Sequence, residues 1–124
     1  KRVTDYASRV RCVATAAAHR AGWLIPGLET PVSVVLRFGF ARPKSARKSE
    51  RELTSLRVTV PDVDNASKGV LDAMNVLWSD DRQVCALRCL KLTVPRSEEG
   101  VYITVETLEN EELKSEIISS YDPG

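Results

Sequence analysis

Two runs of alternating residues with a helical stripe between them limit the folds open to this chain. Val32, Val34 and Leu36 alternate with Ser33, Val35 and Arg37 and lead toward Phe40. Val84, Ala86, Leu90, Leu92 and Val94 alternate again, and Val101, Ile103 and Val105 follow a turn at Glu99-Gly100. Period two belongs to strands with one buried face. Between these runs Val70, Leu71, Met74, Leu77 and Trp78 recur at helical spacing, which predicts a helix over about Asn65 to Leu77. An earlier helix is expected from Thr4 as its cap, with Asp5 at its positive end. Tyr6, Val10, Val13, Ala14 and Ala17 form its stripe and Gly22 its stop. Leu56 to Val60 reads as one more short strand. The predicted order is α-β-β-α-β-β: a single small α+β domain, a mixed β-sheet packed with two main helices. The chain has 124 residues, room for one such domain and a core of its own. Residues 1–108 are assigned to the domain and 109–124 to an acidic C-terminal tail with room for one short helix.

The formal charge is +1, from 18 Lys and Arg against 17 Asp and Glu, which speaks against a generally basic coat. The charge is nevertheless sorted along the chain. Residues 1–60 hold 12 bases and 4 acids, net +8; residues 61–95 are net −1; residues 96–124 are net −6. Such asymmetry hints at a polyanionic partner. The plain alternative is a solvated surface. No apolar run approaches membrane-spanning length, so no membrane partner is expected. Cys12, Cys85 and Cys89 cannot all pair and none has C-x-x-C spacing, which suits reduced thiols in a cytosolic protein.

The chemistry concentrates in Pro61 to Val84, PDVDNASKGVLDAMNVLWSDDRQV. Asp62 and Asp64 are two apart in what reads as an extended entry to a helix, so both carboxylates are expected to point one way. Two hard oxygen ligands on one side suit Mg²⁺, which keeps several waters and takes its other ligands from carboxylates and substrate phosphate. The structural alternative makes Asp64 or Asn65 an N-cap and Asp62 the start of an Asx-turn. Lys68 lies one turn beyond Asp64, in reach of a phosphate or simply in an i,i+4 ion pair. Asp80 and Asp81 form a second acidic pair, or turn chemistry before a strand. Asp72 reads as a helix-face or supporting residue. His19 is the only histidine, which excludes a multi-histidine metal site. Cys85 and Cys89 are four apart on a strand and are expected to share a face as inert thiols. There is no Gly-rich phosphate loop, so no organic cofactor is expected.

Taken together, PDVDN, Lys68 in N-A-S-K, V-L-D-A-M-N, the tryptophan and DDRQV resemble the RusA-type Holliday junction resolvases of bacteria and their phages. The family pattern reads roughly D-x-D-N-x-x-K-x-x-x-D-A-L, a short gap, then D-D-x-Q-V. The match is close over about 24 residues and looser over most of the chain, including the opening T-D-Y-x-x-x-V-R helix. The resemblance implies a Mg²⁺-dependent homodimer, with Mn²⁺ as a substitute, that nicks opposed strands of four-way DNA junctions in recombination and repair. It implies a cytoplasmic protein acting on DNA. Carried onto this chain, it makes Asp62, Asp64 and Asp81 metal-binding and catalytic carboxylates, Lys68 the catalytic lysine, and Asp80 a further candidate ligand. Relatives usually begin with a strand rich in Pro, Lys and Arg, which is not found in this sequence.

With DNA as substrate, Arg42, Lys44, Arg47, Lys48 and Arg51 in the apolar-poor run 41–55 are expected to hold backbone phosphates. A helix of about 13 residues spans roughly 20 Å, which sets Asp64 and Asp81 near opposite ends. Either the chain folds back after Trp78 or Asp81 belongs to the partner's site. The second is the favoured expectation, with two antiparallel helices packed through Val70, Leu71 and Met74. The rival expectations are a non-catalytic branched-DNA-binding module of the same fold, a Mg²⁺-dependent phosphohydrolase of small nucleotides, and a structural protein whose acids are all caps.

Overall fold

A computed structural model describes residues 2–123, with side chains from Asp5 onward. The first helix, α1, runs Arg2–Arg20. It starts before Thr4, so Thr4 is not its cap; the Thr4 side chain lies outside the described residues. The helix ends as expected at Gly22, whose φ is 70°. Trp23 N–H donates to Ala18 O at 2.9 Å and Gly22 N–H to His19 O at 3.2 Å, which is a Schellman closure around a residue without a Cβ.

The chain then enters β1 (Val32–Ala41), β2 (Ser55–Leu56), α2 (Val63–Met74), β3 (Val84–Val94), β4 (Gly100–Thr107) and α3 (Glu111–Ser119). The four strands form one mixed sheet in the order β2-β3-β1-β4. β1 is parallel to β3 and antiparallel to β4, and β2 is antiparallel to β3. The fold is therefore a small α+β domain with a mixed four-stranded sheet and three helices. The third helix lies in the acidic tail, where Asn110 Oδ1 accepts from Glu112 N at 2.8 Å and Leu113 N at 3.2 Å as its cap.

The core forms where one row of β1 meets α2. Val32, Val34, Leu36 and Phe38 pack against Val70, Met74, Leu77 and Trp78, with Val10, Ala14 and Ala18 of α1 alongside. Val70 and Met74 are 0% exposed. The helical stripe expected to face a partner is thus spent on the chain's own sheet, and helix-to-helix dimer packing through Val70 and Met74 is ruled out. Arg11 and Trp23 fasten α1 to the end of α2. Arg11 Nε donates to Ala73 O at 2.9 Å and Trp23 Nε1 to Leu77 O at 2.9 Å, serving carbonyls that the helix leaves open.

Two strand expectations change. Regular pairing of β2 stops at Leu56, and Val58 and Val60 are 94% and 77% exposed. In β3 the register with β1 steps from Val84 to Ala86 between Val32 and Ser33, leaving Cys85 as an extra residue. A bulge reverses which face the following residues occupy. Val84 and Cys89 accordingly both pack toward the core, opposite Val32 and Leu36. The even-numbered run 84–94 is therefore not one face, and Cys85 and Cys89 differ in exposure. Burial raises the Cys89 thiol pKa, against a smaller lowering by Lys91.

Candidate active site

The acidic and basic residues of the 61–84 motif are positioned by contacts that hold the chain on either side of them. Ahead of α2, Lys91 Nζ donates to Thr59 O and Pro61 O, both at 2.7 Å, pinning the approach to Asp62 against β3. Asp62 then occupies the N-cap position of α2, with φ −68° and ψ 151°. Asp64 is already inside the helix, so the pair is not an extended couple as the sequence pattern suggests. Aspartate at an N-cap normally spends a carboxylate oxygen on the first free N–H groups. Asp62 makes no such side-chain bond. Its carboxylate, like that of Asp64, faces solvent at the positive end of a helix.

Lys68 also departs from its ordinary explanation. The ion pairs among the described residues are Arg47 with Glu50, Arg82 with Asp80 and Lys114 with Glu111. Asp64 and Lys68 are not among them, although they are one turn apart. Lys68 instead lines a cavity of about 230 Å³ with Ser67, Leu71, Asp72, Trp78 and Asp81.

Asp81 reaches that cavity because the chain reverses after α2. A 3-10 turn at Asn75–Leu77 ends the helix, and Trp78 is extended, with φ −138° and ψ 166°. Its indole is buried in the core, and Nε1–H donates to Asp81 Oδ1 at 3.0 Å. Asp80 caps a second 3-10 turn, Asp81–Gln83. Asp80 Oδ1 accepts from Arg82 N at 2.9 Å, while Gln83 Oε1 accepts from Asp80 N at 2.8 Å. This reciprocal capping box engages the Asp80 carboxylate structurally. Gln83 is 2% exposed, and its Nε2 also donates to Gly27 O at 2.7 Å and Thr30 O at 3.0 Å. Ser79 Oγ donates to Pro26 O at 2.9 Å. Gln83 is thus the anchor of the acidic turn, and its place in D-D-R-Q-V was the available signal for it.

The fold-back gives Asp81 a route to the Lys68 side of its own α2. Asp81 and Lys68 of one chain line the same cavity, and Lys68 lies one helical turn from Asp64. Asp62 and Asp64 do not line that cavity. Among the described residues no three His, Cys, Asp or Glu side chains gather closely enough to ligate one metal ion. The donor chemistry of Asp62 and Asp64 still fits a hard cation such as Mg²⁺, which takes one or two carboxylates and completes its shell with water and substrate phosphate.

The candidate phosphate-binding residues have unequal freedom. Arg47 is paired with Glu50 at 3.8 Å on an open loop, a contact worth little. Arg51 Nε donates to Ala46 O at 3.2 Å. Arg42 Nη2 donates to Leu53 O at 2.7 Å, with Ser55 Oγ at 3.4 Å and Thr93 O at 3.5 Å. Lys44 and Lys48 are exposed. None of the described helices is long and apolar enough to cross a membrane.

Comparison with known proteins places these features in context. The pattern of the endodeoxyribonuclease RusA family matches residues 1–106. An uncharacterized protein of Bacillus subtilis (strain 168), YqaN, is 40% identical over 83 residues, covering 61% of this chain and 56% of that protein. The chain therefore spans a little over half the length of that relative. No solved structure matches.

Proposed function

The chain belongs to the RusA endodeoxyribonuclease family, and from that premise we propose that it is a Mg²⁺-dependent endonuclease that resolves four-way DNA junctions as a homodimer. The observation that carries the proposal is the idleness of the motif's charges. Asp62 stands at a cap position without capping, and Lys68 stands one turn from Asp64 without pairing. Charged groups left out of the ordinary contacts of their own helix are available to a ligand.

Asp62 and Asp64 would hold the cation, at the N-terminus of α2. When bound there, Mg²⁺, or Mn²⁺ in its place, supplies Lewis-acid stabilisation of charge on a phosphodiester. Lys68 places a cation one turn along the same face, where it stabilises negative charge on the phosphate or on the departing oxygen. Asp81, held by Trp78 on the wall of the cavity that Lys68 also lines, offers its second oxygen to a water or proton near the scissile bond. Hydrolysis adds water across one P–O bond and leaves a phosphate monoester and a hydroxyl, without a protein nucleophile. The exposed bases of the 41–55 loop contribute sequence-independent contacts to the DNA backbone. A two-fold dimer presents two such sites to a substrate that has its own two-fold symmetry.

Asp64→Asn tests the assignment. It is expected to bind a four-way junction within about threefold of the wild type and to lose cleavage by at least about 10²-fold, the scale of removing one electrostatic catalytic group. Normal cutting by Asp64→Asn would remove the nuclease assignment. Binding without metal-dependent cutting by the wild type would support the non-catalytic junction-binding alternative.

A further inference from the structure

A second concave surface, which Asp62 and Asp64 do not line, gathers several cations. A cavity of about 400 Å³ is lined by Arg42 and Lys44 from the start of the β1–β2 loop, Arg51 and Glu52 from its far end, and Arg96 and Ser97 from the β3–β4 turn. Its walls thus carry four cations and one acid. The Lys44 and Arg96 side chains make no hydrogen bond or ion pair with other described residues. The Arg42 guanidinium is fixed by its bond to Leu53 O, yet its Nε is buried and has no partner among the described residues. Four like charges around one hollow favour an anion, and arginine suits the geometry of a phosphate.

We propose that this cavity seats one backbone phosphate of bound DNA, with Arg96 as its far wall. The proposal rests on the DNA-acting function above and deepens it by naming a discrete phosphate contact. The cavity lies at the end of the sheet where β1 and β3 finish. Cys89 Sγ, 3.9 Å from Val63 O, marks the level of the α2 N-terminus on β3. Cys89 and Val94 are five strand rises apart, roughly 17 Å. The seat therefore holds a phosphate several nucleotides from the one being cut. It works as a register point for the strand and takes no part in the chemistry.

The test uses a labelled four-way junction without metal, with affinity followed from about 50 to about 200 mM salt. Each lost phosphate contact is expected to flatten the slope of log K against log salt by about 0.9. R96Q is expected to show that change with an unchanged melting temperature. K114Q, on α3 and away from the cavity, is expected to keep the wild-type slope. A second arm titrates inorganic phosphate at constant ionic strength and follows the backbone amides of Arg96 and Ser97 by NMR; they are expected to shift in the wild type and stay still in R96Q. An unchanged slope in R96Q overturns the proposal. Amide shifts with phosphate but no change in the DNA slope also overturn it, because the seat then serves a free anion. No junction binding at all overturns it outright. Failure of the nuclease assignment reads differently: cutting is absent while the R96Q slope still changes.

Discussion

At the level of single residues, the motif divides into groups that hold the fold and groups left over. Asp80 caps a turn, Gln83 anchors it, and Trp78 fixes Asp81. Asp62, Asp64 and Lys68 have no comparable duty. Sequence spacing alone could not make this division, because an aspartate that caps and one that does not look alike in a string of letters. Trp78→Phe keeps most of the buried ring and removes only the Nε1–H donor to Asp81. The variant is expected to lose about 1 kcal/mol of stability and about 10-fold or more in cleavage rate, the effect of losing an outer partner of a site. Junction binding should be unaffected. Denaturant unfolding and single-turnover cleavage read the two effects; an unchanged rate would remove Asp81 from the site.

At the level of elements, the β1 alternation, the α1 stop at Gly22 and the amphipathic α2 are legible because each obeys a single local period. What escapes is set by neighbours. The Cys85 bulge depends on how β3 meets β1, and it turns an apparently regular even-numbered run into two faces. The termination of β2 at Leu56 is equally invisible, since Val58 and Val60 have strand-forming side chains but no strand to pair with. Gly39 shows how tightly the strand ends close. A Cβ there would stand 3.0 Å from Glu98 O and 3.0 Å from Val94 Cγ2. Gly39→Ala is expected to cost about 1–3 kcal/mol through overpacking, read as a lowered melting temperature. Retention of the wild-type melting temperature would mean the β3–β4 turn yields easily, and with it one wall of the cationic cavity.

For the whole molecule, only part of the basic excess in residues 1–60 is left free for a polyanionic partner. Arg11 serves carbonyls at the end of α2, and Arg57 stacks on Phe40 with its guanidinium carbon 4.5 Å from the ring centroid. Arg96, in the acidic segment 96–124, joins the basic cavity. Folding therefore redistributes charges that the linear sequence groups in three segments. The same folding opens an own-chain route for Asp81. If Asp81 serves the site of its own chain, as its cavity shared with Lys68 favours, mixed dimers of Asp64→Asn and Asp81→Asn subunits are expected to be inactive, each site carrying a defect. Recovery of cleavage on mixing would restore the shared-site arrangement. The most direct measurement is cleavage of a synthetic four-way junction beside a linear duplex of matched sequence, each with Mg²⁺ and with EDTA. Paired nicks in the junction with Mg²⁺ alone, and little cutting of the duplex, are the expected result. Equal cutting of both, or no cutting with Mg²⁺, would contradict a junction-resolving nuclease.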